Sequence, residues 1–178
     1  AKHVSNYVRA NPGPISMLAV GVFRGESLAV WADYLPTGSR ILGLDVNLEP
    51  SKAYRSVLQS KGAFGSGSAN VTLLEADTTC QDSFAKALAQ HPELRGPFDV
   101  IVDDGCHSNP CVMATYKNLY DVLAPGGLYF IEDDESTFVP ICRARGWWMH
   151  DLKSGAYFDS QKTPGSDHHT YLQVHIKA

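Results

Sequence analysis

The chain has 178 residues, 44% hydrophobic and 19% charged, enough apolar material for one buried core and too much for wholesale disorder. Its net charge of -4, from 15 Lys and Arg against 19 Asp and Glu, offers no basic surface of the kind that binds nucleic acid. No apolar run approaches the roughly 18 residues of a membrane span, and the opening AKHVSNYVRANPGP carries no apolar signal-peptide core.

These observations predict a single soluble domain over 1–178, cytoplasmic, with no nucleic-acid and no membrane partner. The four cysteines, Cys80, Cys106, Cys111 and Cys142, form no CxxC pair, so reduced thiols are expected.

Along the chain, apolar runs alternate with helical stretches. ISMLAVGV (15–22) is continuously apolar and ends in glycine, as a strand buried on both faces does. GESLAVWADYL (25–35) reads as a helix stopped by Pro36, and RILGLDV (40–46) as the second strand. A helix over 50–62 opens with proline and closes with glycine. VTLLEAD (71–77) is a third strand, and 82–91 a helix with Asp82 expected as its N-cap. PFDVIVDDG (97–105) is the fourth strand. Asn109 and Pro110 form a cap-plus-N1 pair for a helix that presents Val112, Tyr116, Leu119 and Leu123 on one face. Pro125-Gly126-Gly127 then turns the chain into a fifth strand, LYFIEDD (128–134). The pieces 143–152 and 171–178 are expected to supply an antiparallel edge.

This alternation predicts an α/β fold, a doubly wound, Rossmann-like and mostly parallel sheet with an antiparallel C-terminal edge. Ligands of such sheets bind beyond the carboxyl ends of the strands. Those ends are rich in Gly, Asp and Glu. After the first strand, Gly21, Phe23, Gly25 and Ser27 form a turn leading into a helix N-terminus, where free N–H groups can meet a ligand. Asp45 ends the second strand, where an acid can accept ribose hydroxyls. Asp77 ends the third and could bind an adenine amino group or cap the segment after it. A dinucleotide site needs GxGxxG, but position 23 is Phe, and no GK[ST] marks a P-loop. A nucleoside without a pyrophosphate fits better, S-adenosylmethionine being the commonest.

The fourth and fifth strand ends carry Asp103, Asp104 and His107, then Glu132, Asp133, Asp134 and Glu135. Carboxylates sharing one cleft repel unless a cation neutralises them, and a hard divalent ion such as Mg2+ suits oxygen ligands. An imidazole can accept a proton at physiological pH, and His107 is the candidate general base for a hydroxyl nucleophile. Asp134 and Glu135 read as solvated loop acids, Cys106 as a small turn residue, and CRARGWW (142–148) as core. His150, His168, His169 and His175 receive no role, although the adjacent His168-His169 could bind metal adventitiously.

The segments LAVGVFRGESL, ILGLDV, LEAD, FDVIVDDGCH and LAPGGLYFIEDD together resemble the successive motifs of class I S-adenosylmethionine-dependent methyltransferases. The likeness is to the O-methyltransferases that modify sugars on macrolide and related antibiotics. The resemblance implies the class I methyltransferase fold. It also implies methionine and ribose moieties against Gly21, Gly25, Ser27 and Asp45 (Phe23 lying in the same turn) and adenine near Asp77. Asp103 would face the sulfonium, Asp104, Glu132 and Asp133 would hold Mg2+, and His107 would take the proton of a small-molecule hydroxyl acceptor. The family's acidic residue ahead of the first glycine is Ala19 here. That leaves as alternatives a catalytically inactive methyltransferase-like binding domain or another group transfer on the same fold, such as aminopropyl transfer. A homo-oligomer stays open.

Overall fold

The computed structural model describes residues 2–132, 158–159 and 171–176. Helix α1 (Lys2–Ala10) precedes β1 (Ser16–Val20), α2 (Glu26–Tyr34), β2 (Arg40–Asp45), α3 (Glu49–Ser60) and β3 (Asn70–Glu75). There follow α4 (Gln81–Gln90), β4 (Phe98–Asp103), α5 (Asn109–Leu119), β5 (Leu123–Glu132), β6 (Phe158–Asp159) and β7 (Tyr171–Ile176). The sheet order is β3-β2-β1-β4-β5-β7-β6. Strands β1 to β5 pair in parallel, and β7 runs antiparallel to β5 and β6. This is the α/β class I methyltransferase fold. Strand order reverses between β1 and β4, the point at which the loops after two neighbouring strands splay to opposite faces and leave a crevice.

Side chains alternate across the sheet and divide the core in two. Leu18, Leu42, Leu44, Ile101, Tyr129 and Ile131 meet Phe84 of α4 and Val112, Tyr116 and Leu119 of α5 on one face. Met17, Ile41, Val100, Val102 and Phe130 meet Val4 of α1 and Leu28 and Ala32 of α2 on the other. Each fully buried Leu, Ile or Val contributes about 1.5–3 kcal/mol relative to exposure. The two packed layers therefore hold the loop-bearing strand ends in place.

Several boundaries depart from the sequence expectation. Helix α1 carries too few apolar residues to announce itself, and it is held from outside. Tyr7 Oη–H donates to Asp99 Oδ1 at 2.9 Å, and Asp99 Oδ2 accepts the Ser16 N–H at 2.8 Å. Burial and the neighbouring carboxylate push the Tyr7 hydroxyl up to about 12. The N-cap of α4 is Cys80, whose backbone is extended, and Asp82 lies inside the first turn. The N-cap of α5 is Ser108, one residue before Asn109. Strand β5 starts at Leu123 because Leu123 pairs with Phe98 before the Pro-Gly-Gly segment shifts the register, so that Val100 pairs with Leu128. The chain there bulges within the strand instead of turning ahead of it. Strand β7 supplies the expected antiparallel edge. The piece at 143–152 lies outside the described residues. Among the described residues no helix is long and apolar enough to cross a membrane.

Candidate active site

The crevice is built from the contact of two loops. Gly21 follows β1 with φ +84°, and a side chain there would overlap the Asp104 carbonyl and come within 2.9 Å of Gly105 Cα. Glycine is required both by the backbone conformation and by this approach. The Asp104 N–H donates to the Val20 carbonyl at 2.9 Å, locking the β4 loop against the β1 turn.

Asp45 organises the turn from the end of β2. Its Oδ2 accepts the N–H groups of Val22 at 2.8 Å and Phe23 at 2.9 Å, and its Oδ1 accepts that of Asn47 at 3.0 Å. A carboxylate has about four lone-pair sites, so capacity for a ligand hydroxyl remains. Phe23 is held at φ +46°, a conformation that costs a side-chain-bearing residue about 1–3 kcal/mol. Its ring is 64% exposed at the rim of the cleft, as is Val46. Gly25, at φ +87°, caps α2.

A cleft of about 550 Å³ is lined by Gly21, Phe23, Ser27, Asp45, Asp104 and His107 among others. Sequence-distant candidates thus share one space. His107 Nε2 lies 3.2 Å from Asp104 Oδ1, with both side chains partly exposed. A second cavity of about 120 Å³ adjoins it, also lined by Gly21, Asp45 and Gly105 and extending to Asp77, Thr115 and Cys106. Asp77 turns its Oδ1 to the Thr79 N–H at 2.9 Å and the Thr79 hydroxyl at 2.6 Å. These bonds hold its carboxyl below the usual range. The hydrogen bonds it makes are local ones, while its position borders the cavity.

Asp103, which the resemblance sets toward the sulfonium, is buried at the end of β4. It is 3% exposed, and its Oδ2 accepts the Tyr129 hydroxyl at 3.4 Å. Gly105 N–H reaches its Oδ1 at 3.4 Å. Burial pushes its carboxyl up to about 7, against those two donors. Strand alternation explains the placement: Asp103 falls on the Ile101 side, which faces Tyr129 and α5. Burial likewise raises the Tyr129 hydroxyl well above its ordinary value.

The register pairing Asp103 with Ile131 sets Asp104 and Glu132 at neighbouring strand ends. Asp133, the third expected carboxylate, lies outside the described residues, as do Asp134, Glu135, His150, His168, His169 and the 142–148 segment. Among the described residues no three metal-ligating side chains converge. What is present, two carboxylates at adjacent strand ends with Asp104 bordering the open cleft, is the oxygen donor chemistry a hard divalent ion takes.

One expectation is overturned. Cys106 and Cys111 are joined in a disulfide, so they are not reduced thiols and Cys106 is more than a turn filler. The bridge forms because Cys111 sits in the first turn of α5, where the helix start folds back toward the loop and leaves the two Cα atoms 5.7 Å apart. The only sequence signal was the short spacing across a helix start, which no standard thiol motif names. Cys80 is an exposed free cysteine. Sequence reasoning also missed the buried Thr78–Thr115 hydroxyl pair, 2.9 Å apart, which fastens α5 to the cavity wall.

Residues 18–133 match the family model described as a methyltransferase domain. Mycinamicin VI 2''-O-methyltransferase of Micromonospora griseorubida is 31% identical over 116 residues, 65% of this chain and 24% of that protein. L-olivosyl-oleandolide 3-O-methyltransferase of Streptomyces antibioticus is 30% identical over 118 residues, 65% of this chain and 25% of its own. The chain thus spans about a quarter of the length of these relatives. Among solved structures, the MycE methyltransferase of the mycinamycin biosynthetic pathway in complex with Mg and SAH aligns with a TM-score of 0.61 at 17% identity. That alignment covers 99% of this chain and 49% of the other. An rRNA methylase from Streptococcus thermophilus aligns with a TM-score of 0.60 at 13% identity, covering 98% and 94%. At such identities the likeness speaks for the fold, and substrates as different as these show that the fold does not choose the acceptor. With the family model spanning the first glycine turn, both acidic strand ends and His107, the chain belongs to the methyltransferase-domain family.

Proposed function

We propose that the chain transfers a methyl group from S-adenosylmethionine to a hydroxyl of a small, sugar-bearing acceptor, with His107 as general base. The observation that carries this reading is the shared cleft: the glycine turn, Asp45, Asp104 and His107 border one space. The names of the relatives support the acceptor class.

In the reaction, the acceptor oxygen forms a bond to the methyl carbon as the carbon–sulfur bond breaks, and its electron pair stays on sulfur as a neutral thioether. A neutral alcohol is a weak nucleophile, so the hydroxyl proton must leave. With His107 Nε2 directed at Asp104 Oδ1, the neutral tautomer carries its proton on Nε2, and Nδ1 takes the proton of the acceptor. Asp104 then stabilises the imidazolium. The Asp45-braced turn holds the nucleoside end, with the exposed Phe23 ring bordering the cleft. Asp104, Glu132 and Asp133 would hold Mg2+, which when bound supplies Lewis acidity toward the acceptor oxygen.

The test is transfer of a radiolabelled methyl group from S-adenosylmethionine to mycinamicin VI as probe acceptor. Transfer that EDTA stops and Mg2+ restores is expected. Activity surviving EDTA would remove the cation. Tight S-adenosylhomocysteine binding without transfer to any sugar hydroxyl would favour the inactive binding domain that Ala19 suggests.

A further inference from the structure

The small cavity beside the cleft is bordered by a reactive group that methyl transfer does not use. The Cys106–Cys111 bridge closes a ring of chain that contains His107, so the base of the proposed reaction lies between the two linked sulfurs. The two ends of the ring are anchored differently. On one side Cys106 follows Gly105, which packs against Gly21, and it borders the cavity shared with Asp77 and Thr115. On the other, Cys111 belongs to α5, which Val112, Tyr116 and Leu119 fix in the core. Both cysteines are only half-buried, within reach of a small thiol.

Helix α5 does not depend on the bridge. Asn118 Nδ2–H donates to the Thr78 carbonyl at 2.8 Å, and Thr115 pairs with Thr78 in the same region. Opening the disulfide therefore leaves the helix seated and acts on the loop alone. A short closed ring has few conformations, and an open one has many.

We propose that Cys106 and Cys111 form a reversible thiol–disulfide site whose closed state holds the His107 loop in order for catalysis and whose open state relaxes it. The catalytic consequence rests on the function proposed above; the chemistry of the sulfurs does not. Closing proceeds by exchange with a low-molecular-weight disulfide such as glutathione disulfide. The Cys106–Cys111 bond forms, the glutathione disulfide bond breaks, and the two protons and two electrons leave with two molecules of glutathione. A dithiol reverses the exchange and is itself oxidised to a cyclic disulfide.

The test uses the full chain, poised with glutathione disulfide or with dithiothreitol. Alkylation and mass spectrometry read the state of Cys106 and Cys111, with exposed Cys80 as the reference thiol. After reduction, hydrogen exchange over 104–111 is expected to quicken about tenfold while β1 and β4 stay protected. The kcat is expected to fall about fivefold and to recover on reoxidation. The double variant Cys106→Ser with Cys111→Ser is expected to exchange and turn over like the reduced chain under both conditions. Full alkylation of both cysteines after glutathione disulfide treatment would overturn the proposal, and so would identical exchange in the two states. Redox-dependent exchange in a chain that transfers no methyl group in either state would uphold the thiol site and sink the methyltransferase reading instead.

Discussion

Replacing His107 by alanine is expected to lower kcat by about 100- to 10,000-fold, the range over which a positioned general base acts. Affinity for S-adenosylhomocysteine should stay within about twofold, because the cofactor end rests on other groups. Asp45 braces the Val22 and Phe23 amides, and Gly21 fits beneath Asp104 whether or not an imidazole is present. His107 itself is bonded to Asp104 at the open side of the cleft, so its loss uncovers no buried polar partner and the fold should persist. Single-turnover rates together with calorimetry check both halves of the expectation. An unchanged kcat eliminates His107 as the base, and a parallel loss of cofactor affinity assigns it to binding.

The second large effect is expected at Gly21. Alanine there meets two costs at once. The φ of +84° strains any side chain, by about 1–3 kcal/mol, and the new methyl overlaps the Asp104 carbonyl, which belongs to backbone and cannot swing aside. Either the β1 turn or the β4 loop has to move, and both border the cleft. We expect Gly21→Ala to lower the unfolding midpoint by several degrees and to weaken S-adenosylhomocysteine more than about tenfold, equivalent to 1.4 kcal/mol or more. Gly25→Ala is the control. It shares a positive φ of 87°, but the nearest atom to its new methyl is a Leu58 side-chain carbon at 3.6 Å. That variant should show the backbone strain and little loss of cofactor. Equal losses in the two would mean that positive φ, not the contact with Asp104, is what makes Gly21 necessary.

Much of this arrangement was legible in the chain because strand ends are local features. An apolar run closing on Gly21, another on Asp45 and a third just short of Asp77 predict a parallel sheet and its ligand edge without tertiary information. His107 could be singled out because it comes three residues after the second of two strand-end acids. What stayed hidden depends on contacts that no local pattern encodes. The orientation of Asp103 turns on a one-residue alternation at a strand terminus, and it was settled by Tyr129 on the neighbouring strand. Asp45, expected to meet ribose, also braces three backbone amides, a role visible only once β1 and β2 lie side by side. Phe23 occupies a backbone region where sequence rules expect glycine, because two amides pinned on Asp45 force it there. Helix α1 is stabilised by Asp99, far away in sequence. The Cys106–Cys111 bridge needed the loop and the helix start to be brought together.

The most direct measurement is a crystal structure of the chain with S-adenosylhomocysteine and Mg2+. The nucleoside is predicted along the Gly21–Gly25 turn between Asp45 and Asp77, its sulfur toward His107, with the cation on Asp104, Glu132 and Asp133. A nucleoside bound away from that turn, or a cation that ignores Asp104 and Glu132, would contradict the account.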